Sequence, residues 1–188
     1  MYLCAEVAMY RLFVAIDLPE EVKKMIRALR EELPGARWVP LEQLHLTLRF
    51  IGEADEALYQ RIKNILGAVR GGPFRMALQG IGHFPPGRHP RVLWVGMEEN
   101  EPLLKLQHNV ELALIAAGLA PEERRFSPHI TIARLKETPV NMVLACEENH
   151  FALRTDYFPV EDFHLYSSTL TGSGAIHRRE ASYPLGSS

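Results

Sequence analysis

The chain has 188 residues, 47% of them hydrophobic, with 21 Lys and Arg against 23 Asp and Glu and a formal net charge of −2. That is enough apolar content to bury a core without disulfides or a structural metal, and the balanced charge argues against binding along a long polyanion while leaving room for a local basic pocket. Cys4 and Cys146 are the only cysteines, which argues against a secreted disulfide scaffold and makes a reducing cytoplasm the expected setting.

The first eight residues are apolar but lack the basic region of a signal peptide, and they read as an N-terminal extension. Arg11–Leu18 predicts a central strand ended by Pro19. Val22, Ile26, Leu29 and Leu33 then give helical spacing over Glu20–Leu33, stopped at Pro34-Gly35. A turn at Trp38-Val39-Pro40 leads into a strand, His45–Ile51, closed by Gly52. A second helix is expected over Asp55–Val69. Phe74–Phe84 and Arg91–Met97 read as strands joined by a Pro/Gly-rich loop, and Pro102–Leu119 as the longest helix. His129–Leu135 is the next strand. A short helix capped by Thr138 follows Pro139, and Phe151–Arg154, Asp162–Thr169 and Ile176–Tyr183 are strand-like. Gly186-Ser187-Ser188 reads as a flexible tail. Helices do not alternate strictly with strands and no Gly-rich loop follows the first strand, so an α+β fold rich in antiparallel sheet is expected rather than a dinucleotide-binding one.

The tetrapeptide His45-Leu46-Thr47-Leu48 returns 84 positions later as His129-Ile130-Thr131-Ile132. On a strand, His and Thr two apart share one face and the intervening aliphatics share the other. The aliphatics supply core contact and leave each His and Thr facing a cleft. One such string means little; two with matching apolar frames are specific. Opening a phosphodiester with water calls for a base to activate the water and an acid to protonate the departing oxygen. Imidazole titrates near neutral pH and suits either role. Thr hydroxyls can donate to the non-bridging oxygens. Such a site requires no metal.

Arg11-Leu-Phe-Val-Ala-Ile16, Trp38, His45-Leu-Thr-Leu-Arg-Phe-Ile-Gly52, Phe126-Ser-Pro-His-Ile-Thr-Ile-Ala-Arg134, Phe163-His-Leu-Tyr-Ser-Ser168 and Tyr183-Pro-Leu185 together resemble the 2H phosphoesterase superfamily. More narrowly, they resemble the RNA 2',3'-cyclic phosphodiesterases formerly called 2'-5' RNA ligases. The likeness runs over nearly the whole chain from Arg11. It implies one bilobal domain over residues 9–185, with two antiparallel-rich sheets and outer helices around a central cleft on a pseudo-two-fold axis. It also implies a substrate, RNA ending in a 2',3'-cyclic phosphate and opened to a 2'-phosphate. By the same resemblance His45 is the acid on the leaving 3' oxygen and His129 the base, although a pseudo-symmetric site reads equally well with the two roles exchanged. Thr47, Thr131 and Arg134 then hold the phosphate. The expected partner is RNA, with no DNA, no membrane, no cofactor and no metal, and the chain is expected to be a monomer.

Strict pleating points Arg134 away from His129 unless the strand bulges, and puts Arg49 on the face of His45 and Thr47, where it reaches the phosphate or pairs with a carboxylate. Phe84 is a candidate base-stacking residue or a core residue, beside a loop expected to touch the neighbouring nucleotide. His83 and His89 could be imagined as zinc ligands together with His45 or His129, but no short-spaced His/Cys/carboxylate set is expected in the chain. His108, His150, His164 and His177 read as structural or exposed, and Tyr166 and Ser168 as packing beside the cleft. Two other activities stay open: joining of RNA ends through a 2'-5' bond by reversal of the opening, and non-catalytic recognition of a phosphate.

Overall fold

The structure, a computed structural model, describes residues 9–172 and 174–186; the expectations for residues 1–8 and for Ser187-Ser188 lie outside that range. The strands are β1 (Tyr10–Asp17), β2 (Ala36–Trp38), β3 (His45–Ala54), β4 (Phe74–Met76), β5 (Leu78–Phe84), β6 (Val92–Met97), β7 (Ile130–Leu135), β8 (Phe158–Val160), β9 (Asp162–Thr171) and β10 (Gly174–Pro184). The helices are α1 (Glu20–Ala28), α2 (Glu56–Leu66), α3 (Glu101–Ala116) and α4 (Val140–Asn149).

Two four-stranded sheets, ordered β10-β9-β1-β3 and β2-β7-β6-β5, are antiparallel throughout, with a small β4-β8 pair beside them. This is the α+β, bilobal architecture expected from the sequence, with one motif strand in each large sheet. One continuous core runs behind both: Leu46 and Leu48 of β3, Ile130, Ile132 and Ala133 of β7, and Leu103, Leu106, Val110 and Leu114 of α3 are all buried. Each motif strand thus turns its aliphatic side inward, and β3 approaches β7 across the cleft. No helix among the described residues is long and apolar enough to cross a membrane.

Several elements differ from the sequence expectation. Helix α1 stops at Ala28 although Leu29 and Leu33 are still buried, because Pro34 disfavours helical backbone at Leu33 and the chain must turn early to form β2, which the sequence had suggested as a turn. Gly52 does not end β3. It takes φ +87° beside a register shift against β1, so the strand bends and continues. The expected strand Phe74–Phe84 divides at Ala77, its halves pairing with β8 and β6. Phe151–Arg154 is not a strand, apart from a single bridge between Arg154 and Gln79. Helix α4 starts one residue later than expected, at Val140, so Pro139 takes the cap position and Thr138 makes no cap hydrogen bond. Gly186, expected in the tail, is bridged to Gly71.

Candidate active site

A one-residue bulge sits at the same place in each motif strand. In β3, Thr47 stands opposite Ala15 and Arg49 opposite the adjacent Val14, so Leu48 is the extra residue. In β7, Thr131 stands opposite Trp94 and Ala133 opposite the adjacent Leu93, so Ile132 is extra. A bulge resets the alternation of faces beyond it. Phe50 and Arg134, each three residues past its motif Thr, therefore return to the cleft. Arg49 and Ala133 turn to the core side.

His45, Thr47, His129, Thr131, Phe50 and Arg134 all line one cavity of about 320 Å³. The structure thus brings together the two predicted histidines, the two threonines and Arg134. Arg49 does not join them: its guanidinium pairs with Glu111 on α3 at 2.7 Å and Glu122 at 2.8 Å, and donates to the Ala120 carbonyl. Of the two expectations for Arg49, the carboxylate pair is the one found, and the bulge at Leu48 is the reason.

The histidines are held alike. Nδ1 of His45 lies 2.7 Å from the Gln43 carbonyl, and Nδ1 of His129 lies 2.8 Å from the Ser127 carbonyl. A carbonyl only accepts, so both Nδ1 atoms carry the hydrogen. Nε2 is left on each ring as the atom that exchanges protons. Their surroundings differ. His45 packs at 4.9 Å on Phe13, itself stacked on Tyr166, and meets His177 edge-on at 5.5 Å. Burial, with like charge from His177 and His129 acting in the same direction, lowers the His45 pKa to about 4.

His129 meets Phe84 edge to face at 5.1 Å. Phe84 in turn packs on Trp94, and Trp94 lies across its cross-strand neighbour Gly82, where a Cβ would fall 2.4 Å from the indole. Phe84 is not among the residues lining the cavity; it contacts the His129 ring instead of offering a free face to a base. The loop after it also lies elsewhere, with Arg88 and His89 on a separate cavity and His83 paired to Glu147 at 2.6 Å.

The sequence reading missed several lining residues. His177, read as structural or exposed, stands in the cavity beside His45, with Nδ1 buried and unpartnered. Arg11 and Arg37 line it too, Arg37 directly across from Arg134 in the β2–β7 pair. Arg11 lies 5.2 Å from the Phe50 ring centre. Trp38 and Ser168, both of which the sequence had singled out, line it as well. Three guanidiniums line the cavity and, among the described residues, no Asp or Glu does. Adjacent cations on paired strands repel, so the site gains from a bound anion. A phosphate in this cavity would meet two imidazole Nε2 atoms, two hydroxyls and a cationic rim, which is equipment for in-line displacement with one proton taken and one returned.

The described residues contain one group that could hold a metal, Glu31, Cys146 and His150, and none of the three lines the cavity. It corrects the expectation that no short-spaced set exists, since Cys146 and His150 stand one helical turn apart.

The LigT like Phosphoesterase family model matches residues 16–94 and again residues 95–177, one motif histidine in each segment. An RNA 2',3'-cyclic phosphodiesterase of Thermotoga maritima is 39% identical over 178 residues, covering 89% of this chain and 91% of the relative. Another from Archaeoglobus fulgidus is 32% identical over 171 residues, covering 89% and 96%. Among solved structures, E. coli LigT complexed with 3'-AMP superposes with a TM-score of 0.75 at 26% identity, over 95% of this chain and 99% of that one. E. coli LigT complexed with phosphate gives 0.71 at 26%, with the same shares of 95% and 99%.

Proposed function

This chain belongs to the LigT-like phosphoesterase family, and from that membership we propose that it hydrolyses RNA 2',3'-cyclic phosphate ends to 2'-phosphates by two-histidine acid–base chemistry. The observation that carries the reading is the pair of bulged His-x-Thr strands directed at one cavity with the same Nδ1 anchoring. The activity agrees with the curated relatives, several of which are RNA 2',3'-cyclic phosphodiesterases.

The cyclic phosphate binds between the two imidazoles with its non-bridging oxygens on Thr47, Thr131 and Arg134. Nε2 of His129 takes a proton from water as the water oxygen bonds to phosphorus. The bond from phosphorus to the 3' oxygen breaks, and Nε2 of His45 gives that oxygen its proton. The products are a 2'-phosphomonoester and a free 3'-hydroxyl, with His129 left protonated and His45 neutral. Burial keeps the free His45 imidazole neutral near pH 7, so its proton is retained only when the phosphate anion lies beside it. Acid function at His45 is thereby tied to an occupied site.

The test is turnover of an oligoribonucleotide with a 2',3'-cyclic phosphate end by wild type, His45→Ala and His129→Ala, with and without a 5'-hydroxyl partner strand. Conversion to a 2'-phosphate by wild type, lost in both variants, is expected. Equal turnover by all three proteins would overturn the catalytic reading. Dominance of joined product at low partner concentration would replace hydrolysis with ligation.

A further inference from the structure

Glu31, Cys146 and His150 come together away from the residues that line the catalytic cavity, and, independently of the phosphodiesterase reading, we infer that they bind a single zinc ion. The carboxylate oxygen, the thiol sulfur and an imidazole nitrogen all lie within 4.8 Å of one another. Cys146 and His150, four apart at the end of α4, project from one helix face, and Glu31 is brought to them by the segment that follows α1. In a tetrahedral zinc site the donor atoms stand about 3.3–3.8 Å apart, given bonds of about 2.0–2.3 Å. Closure therefore needs movement of about 1 Å, well within the reach of a Glu side chain.

Two observations favour a cation site over a chance grouping. The Cys146 thiol donates to the Glu31 carboxylate, but Glu31 Oε1 is itself buried and has no hydrogen-bond partner, which is costly for a carboxylate oxygen withdrawn from water. The end of α4 lacks the positive charge that a helix C-terminus favours. Its last turn carries Glu148 and Glu147, the latter paired with His83, and no basic residue, with His150 at the cap. A divalent ion would satisfy both.

The mixed sulfur, nitrogen and oxygen donors favour zinc over calcium or magnesium, which take oxygen ligands. Binding forms a zinc–sulfur bond as the Cys146 thiol releases its proton to solvent, with water in the fourth position. No oxidant or reductant is involved. Because none of the three ligands lines the cavity, loading the site leaves the phosphoesterase chemistry to the two histidines.

Cobalt(II) is the probe, since a cobalt–thiolate bond gives a charge-transfer band in the near ultraviolet. Metal-free full-length protein titrated with cobalt should develop that band with a one-to-one end point, and zinc should abolish it. The band should persist in Cys4→Ser and in the His45→Ala/His129→Ala double variant. It should vanish in Cys146→Ser and weaken at least tenfold in affinity in His150→Ala and Glu31→Gln. Absence of the band from wild type, or its persistence in Cys146→Ser, overturns the site. If Cys146→Ser does not fold, His150→Ala decides alone: unchanged affinity and unchanged band overturn it. Turnover of cyclic phosphate RNA in parallel keeps the two readings separable, since metal binding with no turnover, or turnover with no metal binding, refutes only one of them.

Discussion

Leu48 and Ile132 occupy the same bulged position on the two motif strands, each one residue past the motif Thr. The bulges keep the chain's apolar side against the core while turning the residue two further along into the cleft. At that position the two lobes diverge: β3 presents Phe50 and β7 presents Arg134. The cavity therefore has two-fold chemistry at its histidines and threonines and one-sided chemistry beyond them. Beyond them β7 adds a guanidinium, and β3 adds an aromatic ring with the Arg11 guanidinium over it.

Arg134→Ala should lower kcat/KM on cyclic phosphate RNA by about a hundredfold, the scale of losing one preorganised charge-stabilising donor, with melting temperature little changed. Steady-state kinetics and thermal unfolding check both halves. Wild-type kinetics in the variant would mean that Arg134 does not touch the phosphate.

Arg49→Ala should behave in the opposite way. The guanidinium is mostly buried against Glu111 and Glu122, so its removal leaves a buried carboxylate uncompensated and costs about 3 kcal/mol. A urea titration reads the loss, and kcat at a temperature where the variant is folded should match wild type. Arg49 stands two residues past its motif Thr and Arg134 three, so the shared bulge sends the first to the core side and the second to the cavity.

The contrast marks where the sequence stopped being legible. Both motifs, the strand and helix order and the α+β class could be read, because hydrophobic period and turn residues are local signals. A bulge leaves no such signal: Thr-Leu-Arg-Phe and Thr-Ile-Ala-Arg read equally well as regular alternation, and only pairing with β1 and β6 shows the extra residue. Short pairings were equally hidden, as in three-residue β2 and in β8, where Pro159 argues locally against a strand. His177 was missed because it belongs to neither motif and reaches the cavity only through the β9–β10 pairing. The group formed by Glu31 with Cys146 and His150 depends on a contact between segments more than a hundred residues apart.

His45 titration should be visible by NMR of its imidazole. In the free protein its midpoint should lie near 4, below the ordinary 6.5, because burial opposes the charged ring. Saturating phosphate should raise it. His164 and His177 are lowered by burial as well. As pH falls from about 6.5 towards 4 the unfolded chain takes up protons that the folded protein resists, and folding stability is lost across that window. Denaturation midpoints measured from pH 7 to pH 4 should fall, less steeply in His45→Gln. A midpoint for His45 near 6.5 without ligand would contradict the buried, neutral imidazole.

Gly82→Ala tests whether His129 depends on packing behind it. Gly82 is opposite Trp94 in the β5–β6 pair, and its bare backbone is the seat on which the indole lies, with an added Cβ only 2.4 Å from it. Trp94 supports Phe84, and Phe84 meets His129 in a T-shaped contact. An added methyl must push the indole outward, and overpacking of this kind costs about 1–3 kcal/mol. The displacement passes through Phe84 to the imidazole, so kcat should fall about tenfold or more, since small misplacements of a reacting group carry such losses. KM should move less, because Thr47 lies on β3 and Arg134 stands opposite Val92 and Arg37, away from Trp94 in the register. Trp94→Leu in the same background removes the clash. Recovery of kcat in that double variant would assign the loss to the stacked rings; a double variant as slow as Gly82→Ala would assign it to the β5 backbone.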